Sequence, residues 1–152
     1  MSVKIFISYS QDDFKSEARW LRGYLSKHIP DSDVFIDQLI PKGIKWREEI
    51  KKELKASKIV VVILTNSALT SSEVTKEITT AQNLGKTIIP CKDDLLPSDW
   101  NGQPHSLGEL NGVEFENYQE LGRKLVHAIR PKSILDVSMK ALKNETNSHL
   151  KS

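Results

Sequence analysis

KIVVVILTNSALTSSEVTKEITTAQNLG, residues Lys58 to Gly85, decides how the rest of the chain is read. Its opening, Ile59-Val60-Val61-Val62-Ile63-Leu64, is the longest unbroken apolar run in the sequence. A run of β-branched and leucine side chains reads as a strand buried on both faces, the kind found in parallel sheets covered by helices. Thr65 and Asn66 end the run, and Ser71 or Ser72 can cap a helix that follows. In that helix Val74, Ile78, Ala81 and Leu84 recur on one apolar face. Glu77 precedes Ile78, which places it about 100° around the helix, near the edge of that face. A carboxylate close to the carboxyl end of a central parallel strand stands where open α/β sheets place their sites.

The totals fit one domain with a real core: 152 residues, 38% hydrophobic and 28% charged. Lys and Arg number 22 against 20 Asp and Glu, a near balance with the basic residues scattered, so the chain is not expected to bind nucleic acid directly. A lone cysteine, Cys91, excludes a disulfide framework and suits a reducing cytoplasm. No apolar run approaches a membrane span, and Met-Ser-Val-Lys does not open a signal peptide, so no membrane association is expected.

Outward from the central stretch, Val3 to Tyr9 reads as a first buried strand. Ser10-Gln11-Asp12-Asp13 forms a polar turn capping a helix whose apolar face carries Phe14, Ala18, Leu21, Leu25 and Ile29. Asp33 to Asp37 is a second strand, Gln38 to Lys45 a loop, and Trp46, Ile50 and Leu54 mark a second helix. Lys86 to Pro90 is a fourth strand stopped by its proline. Cys91 to Gly112 is weakly patterned, Val113 to Phe115 is a short last strand, and Tyr118, Leu121, Leu125 and Ile129 mark a final helix. One domain is expected over 1–131, with a C-terminal tail or linker over 132–152, partly helical or disordered. Alternation of this kind predicts an α/β fold: a flavodoxin-like, doubly wound sheet of about five parallel strands with helices on both faces.

Several folds of this size fail on their motifs. The first strand ends Ser8-Tyr9-Ser10 and the third ends Leu64-Thr65-Asn66, so the aspartate acceptor of a phospho-receiver is missing. The turn Ser10-Gln11-Asp12-Asp13 would repel a flavin phosphate, and no Gly-x-Gly-x-x-Gly occurs.

The chain resembles a TIR domain (Toll/interleukin-1 receptor homology) over about residues 3 to 130. Lys4-Ile5-Phe6-Ile7-Ser8-Tyr9-Ser10 is similar to that family's opening box. Val34-Phe35-Ile36-Asp37, with Gly43 and Trp46 downstream, is similar to its second strand and the BB loop after it. Ser57 to Leu64 with Ser67 resembles the third strand and its exit. Ser71 to Ile78 resembles the serine-tryptophan-cysteine-x-x-glutamate box, and Gly85 to Pro90 the fourth strand.

That resemblance implies one of two activities. Some TIR domains are non-catalytic modules that signal by binding other TIR domains. Others, prokaryotic defence effectors among them, cleave NAD+ to nicotinamide and linear or cyclic ADP-ribose, or make a cyclic nucleotide messenger. The NAD+-cleaving reading is preferred, with NAD+ as substrate rather than cofactor, no metal, and activity on self-assembly in antiviral or cell-death signalling. Motif matching assigns the catalytic role to Glu77, whose carboxylate would orient ribose hydroxyls and stabilise an oxocarbenium-like ribose. Glu73 stands where the family carries an aromatic ring; a second carboxylate one turn from Glu77 raises its pKa. Trp46 and Trp100 are candidates for the missing ring, with core packing the other reading of Trp46.

Ser8, Tyr9, Ser10 and Gln11 would line the same crevice, or serve only the turn and helix cap. Phe35 would stack on nicotinamide or belong to the core. Asp37 and Ser67 would bond ribose hydroxyls or close their turns. Leu39, Pro41, Gly43 and Ile44 are the expected BB-loop interface, with Gly43 serving backbone geometry.

Overall fold

A computed structural model describes residues 2–41, 43–97 and 107–130. The chain runs β1 (Val3–Ser8), α1 (Gln11–His28), β2 (Ser32–Phe35), α2 (Trp46–Ala56), β3 (Ile59–Leu64), α3 (Asn66–Thr70), α4 (Ser72–Asn83), β4 (Thr87–Asp93) and β5 (Val113–Phe115). Short 3-10 turns occupy Asp37–Leu39 and Leu107–Glu109. Residues 118–130 are helical and are called α5. All pairings in the five-stranded sheet are parallel, in the order β2-β1-β3-β4-β5. This is the doubly wound architecture that the alternation of elements predicts.

β3 sits at the centre, paired with β1 and β4, and all six of its residues are buried. Its side chains alternate between two layers. Ile59, Val61 and Ile63 pack with Ile5 and Ile7 against the apolar faces of α1 and α5. Val60, Val62 and Leu64 pack with Phe6 and Phe35 against Ile50 and Leu54 of α2 and Val74, Ile78 and Ala81 of α4. Period-two alternation on β1 puts Ser8 on the same side as Phe6, beneath α2 and α4. A polar residue at the end of a buried strand is therefore aimed at α4.

Several boundaries differ from the sequence reading. β4 does not stop at Pro90: the strand continues to Asp93, with Pro90 in register opposite Val62. β5 begins only opposite Cys91, so Pro90 lies where β4 has no paired neighbour on that side, and the missing N–H is tolerated. Strands β1 and β2 end one and two residues earlier than expected, at Ser8 and Phe35. The exit of β3 forms α3, capped by the Thr65 hydroxyl, before Ser71 caps α4. Leu84 caps the C-terminus of α4 instead of extending its buried face, and is 39% exposed. Trp100, with residues 98–106 of the weakly patterned segment, and the 132–152 tail lie outside the described residues.

Gly112 enters β5 hard against β4. A Cβ there would lie 2.4 Å from the Pro90 carbonyl oxygen and 2.8 Å from its ring. Gly112→Ala is expected to cost about 1–3 kcal/mol, because the close approach is to backbone that cannot yield cheaply. Urea denaturation would show it, and an unchanged midpoint would mean that β5 can move away freely.

Candidate functional site

The site is built on the helix that follows the central strand. Ser71 caps α4 by accepting a hydrogen bond from the Val74 N–H at 3.2 Å. From that start Val74, Glu77, Ile78 and Ala81 form the buried face. These positions are spaced by three and four, the spacing of one helical stripe, and Glu77 forms the edge of that stripe on the side of Glu73 and Thr80, where it is nonetheless buried. It is 6% exposed. A carboxylate there needs a partner, and Ser8 supplies one: its hydroxyl donates to Glu77 Oε1 at 2.6 Å. Burial pushes the Glu77 carboxyl up to about 8. The Ser8 hydrogen bond opposes that rise, while the negative charges of Asp37 and then Glu73 add to it.

Asp37 opens the 3-10 turn two residues past β2 and gathers the residues that follow β1. The Tyr9 hydroxyl donates to Asp37 Oδ1, and Gln11 Nε2 donates to Asp37 Oδ2 at 2.9 Å. Burial, with the hydrogen bond to Asp37 behind it, raises the Tyr9 phenol well above its ordinary range, so it remains a neutral donor. Gln38 donates to the Tyr9 oxygen at 2.8 Å and to the Lys15 carbonyl at 2.9 Å, and accepts from Arg19 at 2.9 Å. Ser8, Tyr9, Gln11, Asp37 and Glu77 thus meet at the carboxyl ends of β1 and β2.

Other expected site residues lie differently. Ser10 is the N-cap of α1, accepting from the Asp12 N–H at 3.3 Å. Phe35 is 7% exposed, its ring 5.3 Å from that of Phe6; its flat face is engaged in the core. Ser67 lies on α3, where its backbone N–H donates to Asp13 at 3.2 Å. Trp46 opens α2 and is 36% exposed, away from the core that its spacing with Ile50 and Leu54 suggested. Glu73 faces solvent one turn before Glu77. Its Oε1 lies 4.0 Å from Arg47 Nη2 and 3.9 Å from Lys76 Nζ.

Between α2 and α4 runs an open groove with a volume of about 60 Å³, lined by Arg47, Ile50, Lys51, Leu54, Glu73, Lys76, Glu77 and Thr80. Sequence reasoning passed over Arg47 and Lys76, because cations on an amphipathic helix read as solvated. Their meaning comes from Glu73, which meets Arg47 only across two helices. Past the site, Leu39 and Ile44 are 44% and 49% exposed. Pro41 is exposed as well. Gly43 takes a left-handed φ of 88° that a side chain would oppose. Among the described residues no group of three or more His, Cys, Asp or Glu could hold a metal ion, and no helix is long and apolar enough to cross a membrane.

The comparisons agree on the fold. Residues 5–126 match the family model described as TIR domain. No curated protein sequence matches the chain. The TIR domains of the activated Roq1 resistosome superpose with a TM-score of 0.65 at 14% identity, covering 84% of this chain and 99% of that one. A Clostridium botulinum CMP N-glycosidase, BcmB, gives 0.63 at 14% identity over 83% of this chain and 99% of its own. The TIR domain of the Toll-related receptor TRR-2 from Hydra magnipapillata gives 0.60 at 16% identity, over 87% and 94%. With four-fifths of its length inside the family model, the chain belongs to the TIR-domain family.

Proposed function

We propose that this TIR domain cleaves the N-glycosidic bond of NAD+, with Glu77 as the catalytic carboxylate. The observation that carries the reading is Glu77 itself: a 6% exposed carboxyl, hydrogen-bonded to Ser8, at the inner end of a groove. A structural role gives no reason to bury an acid in an apolar helix face, where it must be neutralised or paired. That one fold relative is an N-glycosidase supports the same class of bond.

In the reaction the bond between ribose C1′ and the pyridinium nitrogen breaks. Its electron pair leaves with nicotinamide, which departs neutral. The ribose is left with oxocarbenium character, and the Glu77 carboxylate stabilises that charge and holds the ribose hydroxyls. Water adds to C1′ and its proton passes to the carboxylate or to solvent, giving ADP-ribose. An internal nucleophile in place of water gives the cyclic form. Asp37, Tyr9 and Gln11 supply further hydrogen-bonding groups at the crevice wall. The exposed Leu39 and Ile44 suit contact with a second copy, and the reading includes activity on self-assembly.

Because the carboxylate is the active form, activity should rise with pH through the Glu77 pKa, raised from 4.5 to about 8. At pH 7 only roughly a tenth of the free protein carries Glu77 ionised. Nicotinamide release by concentrated protein should therefore show kcat/KM climbing about tenfold per pH unit below neutrality and levelling above pH 8. A flat profile from pH 6 to 9 would remove the buried acid from the mechanism. An inert protein at concentrations that assemble it would leave the TIR domain a binding module.

A further inference from the structure

The Glu73 side chain occupies an odd position for an acid. It is half exposed, one turn from a buried carboxyl that its own charge helps to keep protonated. Nothing in that pairing helps Glu73, since ionising Glu77 would set two like charges at a helical spacing of four. Facing it is a pair of cations on one oxygen, Arg47 from α2 at 4.0 Å and Lys76 from α4 at 3.9 Å. With Lys51, these put three cations on the groove wall against Glu73 and Glu77. The floor is apolar, made by Ile50 and Leu54. The groove therefore has an apolar base, a carboxyl at its inner end and a positive rim.

Both cations reach within 4.0 Å of one carboxylate oxygen, in exposed pairings that hold Glu73 only weakly and leave them able to exchange it for another anion. We propose that Arg47 and Lys76 recognise a phosphate of the nucleotide substrate, and that Glu73 holds their place as an internal counter-ion until substrate displaces it. This rests on the N-glycosidic reading for the identity of the substrate, though not for the existence of the anion subsite. Residues four apart on a helix stand about 5–6 Å apart at Cβ. That separation is comparable to the reach across a ribose from C1′ to its 5′-phosphate, so a sugar with C1′ at Glu77 brings its phosphate towards Arg47 and Lys76. A guanidinium offers the planar fork that phosphate oxygens accept, and a lysine adds a point charge. Glu73 and Arg47 are then specificity-determining residues: they set the preference for phosphorylated over unphosphorylated substrates.

The test has two arms. In the first, ADP and adenosine are titrated into wild type, R47A/K76A and E73Q by calorimetry. ADP should bind wild type more tightly than adenosine, lose about tenfold or more in R47A/K76A, and gain several-fold in E73Q, where the competing carboxylate is gone. Adenosine should distinguish the three proteins little. In the second arm, nicotinamide release is compared for NAD+ and nicotinamide riboside, which lacks phosphate. The ratio of kcat/KM values should fall in R47A/K76A and rise in E73Q; taking a ratio cancels any change in the Glu77 pKa. ADP affinity that is unaltered in R47A/K76A, or no stronger than adenosine's in wild type, overturns the inference whatever the catalytic result. Release from neither substrate, with ADP binding lost in R47A/K76A, overturns the glycohydrolase reading and leaves the anion subsite standing.

Discussion

Glu77→Gln should abolish nicotinamide release while making the protein harder to unfold at alkaline pH. Loss of activity is expected to be at least about a hundredfold, the size of effect seen when one preorganised electrostatic group is removed from a transition state. The gain in stability follows from linkage. The carboxyl has an ordinary value of 4.5 when exposed and about 8 when folded. Between those values the folded chain holds a proton that the unfolded chain has released, so stability falls as pH rises. The wild type should lose on the order of 4 kcal/mol across that window relative to the neutral glutamine, which has no charge to desolvate. Below pH 4.5 both proteins carry a neutral side chain and should differ little. Urea midpoints for the two proteins at pH 5 and pH 8.5, set beside an NAD+ assay, give the comparison. A variant that is inactive and equally destabilised at both pH values would point to simple structural damage. An active variant would end the catalytic assignment.

Phe6→Ala should cost about 3–5 kcal/mol, the range for emptying a buried aromatic site. Phe6 is 1% exposed and sits on β1 in the layer beneath α2 and α4. Its ring lies tilted over that of Phe35 at 5.3 Å, so truncation removes a ring-to-ring contact as well as apolar area. Domains of this size are stable by roughly 5–15 kcal/mol in total, so the variant would be marginal at physiological temperature. The loss also reaches the site, because Ser8 is two residues along the same strand and faces the same layer. Circular dichroism against urea would measure it. A cost under 1 kcal/mol would show that the layer closes over the gap.

The fold was legible wherever the pattern is local. Ile59 to Leu64 could only be a doubly covered strand, and the alternating helices left little choice but a parallel sheet. The strand through Pro90 was not legible, because proline reads as a stop until one knows that the neighbouring strand starts a residue later. Glu77 could be singled out from its motif, yet its burial could not. The helical pattern gives its angle but not that Ser8, 69 residues earlier, lies underneath. Asp13 shows the same limit: it reads as part of a helix cap, and its carboxylate in fact accepts from the Thr65 hydroxyl and the Ser67 N–H across the sheet end.

The chain of hydrogen bonds from Arg19 through Gln38 to Tyr9 and Asp37 has a consequence for how this protein can change. It fastens the root of the loop after β2 to α1, and the exposed residues begin only at Leu39. Substitutions at the exposed tip, Leu39 and Ile44, are therefore expected to leave the bonds of Asp37 to Tyr9 and Gln11 in place. Evolution could then vary that exposed tip while the hydrogen bonds at its root stay as they are.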